Sequence, residues 1–171
     1  MTRPLTEAER ALVERVRQTA RVLYAGEVTP HRSCGIALAE TFGRATAPYQ
    51  ALRRGGISGC GECGVLVGAR MVLGELLGDP DPTGSVTPVL REAMEELEAG
   101  WPSRLDRGRA EGAGMICNTL TAPFAEFRSA ERHDFCTELA TDMAELVAEI
   151  LVRRDVPLEP PTIQPTAPAG E

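Results

Sequence analysis

A glycine- and cysteine-rich segment that leads into a long apolar run constrains the fold of this chain most strongly. The segment reads Gly-Cys-Gly-Glu-Cys-Gly over residues 59–64, and apolar residues then predominate as far as Leu77. A helix that is apolar around most of its circumference is typical of the middle of a bundle. Glycine costs about 1 kcal/mol relative to alanine in a helix interior. The glycines at positions 64, 68 and 74 therefore indicate close contact with a neighbouring helix or a cofactor.

The rest of the chain also favours helices. Thr6 and Glu9 form the pattern of a capping box, which opens a helix that should end near Gly26. Hydrophobic residues make up 43% of the chain but aromatic residues only 4%, so aliphatic side chains must fill the core, as is typical of packed helices. Further helices are expected over about 30–43, 87–99 and 132–153, with short helical segments near 48–54 and 115–123. We predict an all-α fold, a single helical bundle of about five helices.

The predicted bundle forms one domain over residues 1–155, because a chain of 171 residues lies within the usual size of a single domain. Residues 156–171 are rich in proline and show no hydrophobic periodicity, which predicts a tail that is disordered or draped over the surface. Residues 101–114 are irregular and charged, as expected of a surface loop. The glycine-rich segment 55–59 cannot hold a regular element, so it either moves or passes close to a group that a side chain would block.

The charge pattern excludes several classes of partner. The formal net charge is −7, and no basic run is longer than two residues, which argues against binding to nucleic acid. No apolar run approaches the length of about 20 residues that spans a bilayer, and the first residues lack the apolar core of a signal peptide. We therefore expect no membrane association and a cytoplasmic location.

Five cysteines carry most of the chemical character of the chain. In a reducing compartment, and with an odd count, they are poor candidates for structural disulfides, so metal binding or redox work is favoured. Four of them are predicted at or near helix starts, where the helix dipole and free amide groups lower the pKa of a thiol; they are Cys34, Cys63, Cys117 and Cys136. Buried thiolates need a compensating cation or cluster, or they must pair as disulfides. For Cys34 taken alone, an ordinary buried cysteine is the alternative.

A second arrangement uses the Cys-x-x-Cys pair formed by Cys60 and Cys63. Such a pair at a helix start is typical of thiol–disulfide oxidoreductases, in which one cysteine attacks and the other resolves. The chain has no βαβ pattern, so a thioredoxin fold is not expected. The glycine-rich segment before Cys60 should leave this cysteine more mobile and more exposed than Cys63. This favours a resolving role for Cys60, or a role as a substitute ligand.

The two histidines, His31 and His133, each precede a cysteine by three residues. At that spacing a histidine lies near the cysteine on a helix and could bond to its sulfur or replace it as a ligand. The alternative is an exposed histidine in a first helical turn. No Ser-His-Asp order, phosphate-binding loop or His-Glu-x-x-His pattern is present, so nothing supports a hydrolase or a nucleotide-binding protein.

The cysteines stand in the patterns Cys34-Gly35-x-Ala37, Cys63-Gly64-Val65-x-x-Gly68-Ala69, Cys117-x-x-Leu120 and Cys136-x-x-Leu139. This ordered set resembles the family of redox-active proteins called C-GCAxxG-C-C, small helical proteins with four cysteines around a Cys-Gly-Ala-x-x-Gly motif. The resemblance extends over about residues 20–153. The chain departs from it at Val65, where the motif has alanine, and at Cys60, which is an additional cysteine.

The resemblance implies a sulfur-rich redox site without haem. The related split-Soret cytochromes carry a similar cysteine set beside c-type haems, but here glycine rather than histidine follows the Cys-x-x-Cys pair, so the haem-attachment pattern is absent. Four cysteine thiolates suit a [2Fe–2S] or a [4Fe–4S] cluster. Tetrahedral zinc is also chemically compatible with them, although the scattered spacing is not that of a zinc finger or ribbon.

The first hypothesis is therefore a redox protein, working in electron transfer, that binds an iron–sulfur cluster through Cys34, Cys63, Cys117 and Cys136. The auxiliary candidates are Cys60, His31 and His133. The alternatives are a thiol–disulfide or sulfur-relay oxidoreductase that uses Cys60 and Cys63 as catalytic residues, and a zinc-binding structural module. The redox partner is not indicated. The resemblance and the apolar helix after Cys63 also make a homodimer an expectation.

Overall fold

The computed structural model describes residues 3–166. Within that range the chain contains six α-helices, one 3-10 helix and no β-strand, only an isolated antiparallel bridge between Glu62 and Ile116. The helices are α1 (Glu7–Ala25), α2 (Cys34–Thr41), the 3-10 helix (Ala47–Leu52), α3 (Gly64–Leu77), α4 (Pro88–Arg104), α5 (Cys117–Thr121) and α6 (Ala130–Val152). The predicted helical class is confirmed, but the count of about five helices is too low. No helix in residues 3–166 combines the length and the apolar character that crossing a bilayer requires.

Two helices, α3 and α6, form the middle of the molecule. Helix α6 packs against α1, α2, α3 and α4, and twelve of its 23 residues are buried. Helix α3 packs against α2, α4, α6 and the 3-10 helix. Its partners cover its apolar side chains, because none of the large exposed hydrophobic residues of the described chain belongs to α3. The apolar surface on which the expected dimer partly rested is thus already covered within one chain.

The first helix begins as its sequence predicts. The backbone N–H of Glu9 donates to the side-chain oxygen of Thr6 at 3.2 Å, and the backbone N–H of Thr6 donates to the Glu9 carboxylate at 2.7 Å. This capping box satisfies two amide groups that the first turn would otherwise leave without partners. The helix ends at Gly26, which adopts the left-handed conformation with φ 76°.

Two other helix boundaries differ from the prediction, one at the end of α4 and one at the start of α6. Helix α4 continues past Ala99 to Arg104, where the Arg104 guanidinium lies 2.9 Å from the Glu149 carboxylate and ties the last turn to α6. Helix α6 begins at Ala130 because the side chain of Ser129 accepts a hydrogen bond from the backbone N–H of Arg132 at 3.2 Å. A cysteine expected in its first turn, Cys136, consequently lies about two turns inside the helix.

The proline-rich tail has no regular secondary structure over residues 156–166, but it lies on the surface of the bundle. Val156, Leu158 and Ile163 are partly buried against the core. The backbone N–H of Thr166 donates to the carbonyl of Val28 at 3.0 Å. Of the two states predicted for the tail, this part shows the second, and the remaining tail residues lie outside the described range.

The glycines of α3 differ in what surrounds them. A Cβ atom at Gly68 would lie 3.1 Å from the Cα atom of Gly35, so α2 and α3 touch there through their backbones. A Cβ atom at Gly74 would meet nothing within 4 Å. The prediction of close contact is therefore right for Gly68 and wrong for Gly74, which faces open space.

This difference gives a matched pair of substitutions. We expect Gly68→Ala to lower the free energy of unfolding by about 1–3 kcal/mol, because α2 and α3 must separate to admit the methyl group. We expect Gly74→Ala to raise it by about 0.5–1 kcal/mol, because alanine favours the helix and finds free space. Urea denaturation followed by circular dichroism measures both. Equal effects of the two substitutions would contradict the backbone contact at Gly68.

Candidate functional site

Four of the five cysteines line one cavity of about 450 Å³. Cys34 is the first residue of α2, Cys63 immediately precedes α3, Cys117 is the first residue of α5 and Cys136 lies within α6. The four come from segments that are far apart in the sequence. The fold thus brings to one cavity all four cysteines that the sequence predicts as ligands.

Backbone hydrogen bonds join two of these segments. The N–H of Cys63 donates to the carbonyl of Met115 at 2.6 Å, and the N–H of Cys117 donates to the carbonyl of Gly61 at 3.0 Å. Residues 59–63 and 115–118 therefore run side by side around the isolated bridge. Although α5 is only five residues long, these bonds fix its first residue relative to the start of α3.

The glycine-rich segment 55–59 passes close to the same backbone. A Cβ atom at Gly55 would lie 2.6 Å from the Cβ atom of Cys117 and 2.6 Å from the carbonyl oxygen of Gly61. A Cβ atom at Gly59 would lie 1.9 Å from the side-chain oxygen of Asn118. Both glycines also have positive φ angles, 56° and 80°. Of the two roles predicted for this segment, the structure shows close approach.

The glycine that follows Cys63 allows α3 to reach the sulfur of Cys34. A Cβ atom at Gly64 would lie 2.7 Å from Cys34 Sγ and 2.6 Å from the carbonyl oxygen of Leu52. Any larger residue at this position would push the start of α3 away from the start of α2. The Cys-Gly step of the sequence motif therefore has a steric cause in this chain.

This approach lowers the pKa of Cys34 to about 7. The main cause is a hydrogen bond from the Cys63 thiol, and the backbone N–H groups of Gly35, Gly64 and Cys34 itself add to it against the opposing effect of burial. The same sharing of a proton with Cys34, together with burial, raises the pKa of Cys63. Cys34 and Cys63 thus form one coupled pair in which Cys34 holds the negative charge.

The other two thiols are neutral at neutral pH. Burial raises the pKa of Cys117 to about 11, and the nearby Cys34 adds to the effect. Burial also raises the pKa of Cys136, although Arg132 and the Tyr24 hydroxyl oppose it as hydrogen-bond donors. The prediction that helix starts lower the pKa of all four thiols is therefore wrong for three of them. Desolvation outweighs the helix terminus at Cys117, and Cys136 is not at a terminus.

The additional candidates lie in different places. Cys60 is exposed and does not line the cavity, and its sulfur is 4.0 Å from the carbonyl oxygen of Ser58 and 4.0 Å from the side-chain nitrogen of Asn118. The Cys-x-x-Cys pair of the sequence thus has one cysteine outside the cavity and one inside. The pairing that the structure presents in the cavity is instead Cys34 with Cys63.

The two histidine rings lie 5.2 Å apart between their centroids, but only His31 lines the cavity. Its Nδ1 bonds to the carbonyl of Tyr24, and its pKa is lowered chiefly by burial, so the ring is neutral at neutral pH. His133 donates through Nε2 to the carbonyl of Ala25 at 2.9 Å and lines a separate groove. His31 also departs from the prediction in secondary structure, because it precedes α2 rather than lying on it.

Four arginines complete the cavity, and sequence reasoning did not connect them with it. They are Arg53, Arg54, Arg128 and Arg132, and no aspartate or glutamate lines the cavity with them. Arg132 precedes Cys136 by four residues, which places both on one face of α6. This spacing could have indicated from the sequence that Arg132 lies beside the cysteine. The adjacent pair Arg53-Arg54 gave no such signal, because its place next to the cysteines depends on the path of the whole chain.

The described cysteines are free thiols, but they are not gathered around a single point. All five cysteines are free thiols. In the part of the chain that the structure describes, no three histidine, cysteine, aspartate or glutamate side chains are arranged to hold a single metal ion. Two buried polar atoms, Ser33 Oγ and Arg132 Nε, have no hydrogen-bond partner although their residues line the cavity. Four thiols that line one cavity are a donor set of the type that iron–sulfur clusters use.

The comparisons with known proteins agree with the four-cysteine pattern. A family model described as "Putative redox-active protein (C_GCAxxG_C_C)" matches residues 32–150, which is well over half of the chain. No curated protein and no solved structure matches. All four cysteines of the cavity and the glycines at 35, 64 and 68 fall within the matched range. The chain therefore belongs to the C_GCAxxG_C_C family of redox-active proteins.

Proposed function

We propose that this protein transfers electrons through an iron–sulfur cluster held by Cys34, Cys63, Cys117 and Cys136. The observation that carries the proposal is the convergence of these four thiols, from four separate segments, on one cavity of about 450 Å³. Cysteine thiolates are the usual ligands of [2Fe–2S] and [4Fe–4S] clusters. When bound, such a cluster supplies one-electron redox chemistry.

The surroundings of the thiols support this ligand role. The thiol of Cys63 is buried and those of Cys34, Cys117 and Cys136 are partly buried at the cavity, which limits their contact with water. Arg132 and Tyr24 act on Cys136 to favour its thiolate, the form that binds metal, against the larger opposing effect of burial. The arginines that line the cavity offset negative charge, which four thiolates would bring. A zinc-binding structural module is less well supported, because a single zinc ion needs ligands gathered more tightly than the described thiols are.

Anaerobic reconstitution with iron and sulfide tests the proposal. We expect a brown protein with charge-transfer absorbance in the visible range and with iron and sulfide bound in comparable amounts. Replacing Cys34, Cys63, Cys117 or Cys136 singly with serine should remove most of the bound iron, because each thiol supplies one ligand.

The matched control is Cys60→Ser, which removes the one cysteine outside the cavity. It should retain iron and colour, and circular dichroism should show that all five variants remain helical. A colourless wild-type protein without iron would refute the cluster. So would equal loss of iron in Cys60→Ser.

A second candidate function is favoured by the contact between Cys34 and Cys63. Both thiols line the cavity, and their mutual interaction is the main cause of the shift in the pKa of each. With Cys34 as the thiolate, oxidation of this pair by a two-electron acceptor would transfer two electrons to it, release the one proton of Cys63 and form one S–S bond. The thiol–disulfide alternative is thus better supported for Cys34 with Cys63 than for Cys60 with Cys63, because Cys60 lies outside the cavity.

The reactivity of the thiols in metal-free protein gives a separate prediction. A thiolate, not a thiol, attacks iodoacetamide, so alkylation of Cys34 should rise as the pH increases through about 7. Cys117 should stay unreactive over the same range, because its pKa is raised to about 11. In Cys63→Ala the pKa of Cys34 should rise, since the thiol that donates to its sulfur is gone. Mass spectrometry of digested protein follows each site, and an unchanged Cys34 profile in Cys63→Ala would contradict the coupled pair.

A further inference from the structure

One wall of the cysteine cavity is strongly basic although the chain as a whole is acidic. The sequence has 25 acidic and 18 basic residues. The residues that line the cavity nevertheless include Arg53, Arg54, Arg128 and Arg132 and no carboxylate. Such a concentration of one sign of charge in a cleft attracts ions of the opposite sign. The cavity therefore differs in charge from the rest of the molecule.

These four arginines have no carboxylate partner in residues 3–166. Eight other arginines of the same range do form ion pairs with aspartate or glutamate, as Arg17 does with Asp142 at 3.4 Å and Arg70 with Glu98 at 2.7 Å. Some arginines elsewhere in the described chain, such as Arg91 and Arg109, also lack a carboxylate partner, so the cavity differs in that four unpaired guanidinium groups lie together there with no carboxylate among them. This pattern indicates that a negative charge from outside the chain completes the site.

Two buried polar atoms at the cavity also lack a partner. The Nε atom of Arg132 and the Oγ atom of Ser33 have no hydrogen-bond partner, and both residues line the cavity. Buried polar groups in folded proteins almost always have a partner. Phe127, which is 41% exposed, has the guanidinium carbons of Arg54 and Arg132 over its ring at 4.9 Å and 4.5 Å from the ring centre. These cation–π contacts hold the two guanidinium groups near each other at the cavity.

We propose that the cysteine cavity binds a small anion with two negative charges, of the carboxylate or sulfur-oxyanion class, between these arginines and the thiols. A guanidinium group presents paired N–H donors that match the oxygens of such anions. The cavity volume of about 450 Å³ lies within the range of small-molecule sites, about 300–1,000 Å³. In the unloaded protein only Cys34 is available as a thiolate to offset four guanidinium groups.

This inference rests on the proposed function in one respect: the anion would lie beside the thiols that the proposal assigns to the cluster. Its binding does not depend on iron. A small molecule is favoured over an acidic protein because a cavity of about 450 Å³ has the size of a small-molecule site.

Calorimetric titration of the full-length reduced chain tests the site, first without metal and then in the iron-loaded form if the chain takes up iron. Two probes are used: sulfate represents the sulfur oxyanions, and malonate represents the dicarboxylates. Separate titrations with each probe show which of the two classes of anion the cavity binds. We expect saturable binding of at least one probe in the metal-free protein. Arg128→Gln and Arg54→Gln should each raise its dissociation constant about tenfold, as expected for loss of one charge-assisted contact.

The matched control is Arg91→Gln, which removes one positive charge from an exposed site on α4 away from the cavity. It should leave the dissociation constant unchanged. Absence of saturable binding of both probes at millimolar concentration would overturn the proposal, and so would equal weakening in Arg91→Gln. Iron uptake is measured separately, so failure of the cluster proposal and failure of anion binding give different results.

Discussion

The close approach of α2 and α3 at their glycines is the contact on which the site depends. At Gly64 a single methyl group would collide with both the sulfur of Cys34 and the backbone of Leu52. At Gly68 the two helices touch through backbone atoms. This spacing lets amide groups from two helix starts and the Cys63 thiol reach one sulfur atom, which explains why Cys34 alone has a lowered pKa. The packing of the core and the chemistry of the site thus share one steric requirement.

Burial raises the pKa of a thiol and a helix start lowers it. For Cys117 and Cys136 the effect of burial is the larger. Cys117 opens a helix, yet α5 has only five residues, so few aligned peptide dipoles favour its charge. Cys136 lies within α6, where the amide groups are already bonded along the helix. A thiol in such a place gains no backbone donors, and at Cys136 burial favours the neutral form more strongly than Arg132 and Tyr24 favour the thiolate.

Much of the fold and of the cysteine set could be predicted from local patterns. The capping box at Thr6, the apolar character of α3 and the four cysteines each follow from short stretches of sequence, and the structure brings the four cysteines to one cavity. What could not be predicted depends on contacts between distant segments. The extension of α4 depends on the ion pair between Arg104 and Glu149. The exposure of Cys60 follows from the path of residues 55–63 beside residues 115–118.

The two ligands that we propose for the cavity, the iron–sulfur cluster and the anion, would use the same positive charges. In the metal-free protein the pKa values of three thiols are raised, so the cavity holds at most one thiolate against four guanidinium groups and is positive. Binding of metal by cysteine requires deprotonated sulfur and releases the protons. The same arginines would then offset the thiolates of the loaded site and hold a second anion less strongly. A change in the affinity for anions on iron loading would follow from this shared use of positive charge, because a charge that is neutralised by one ligand is no longer available to another.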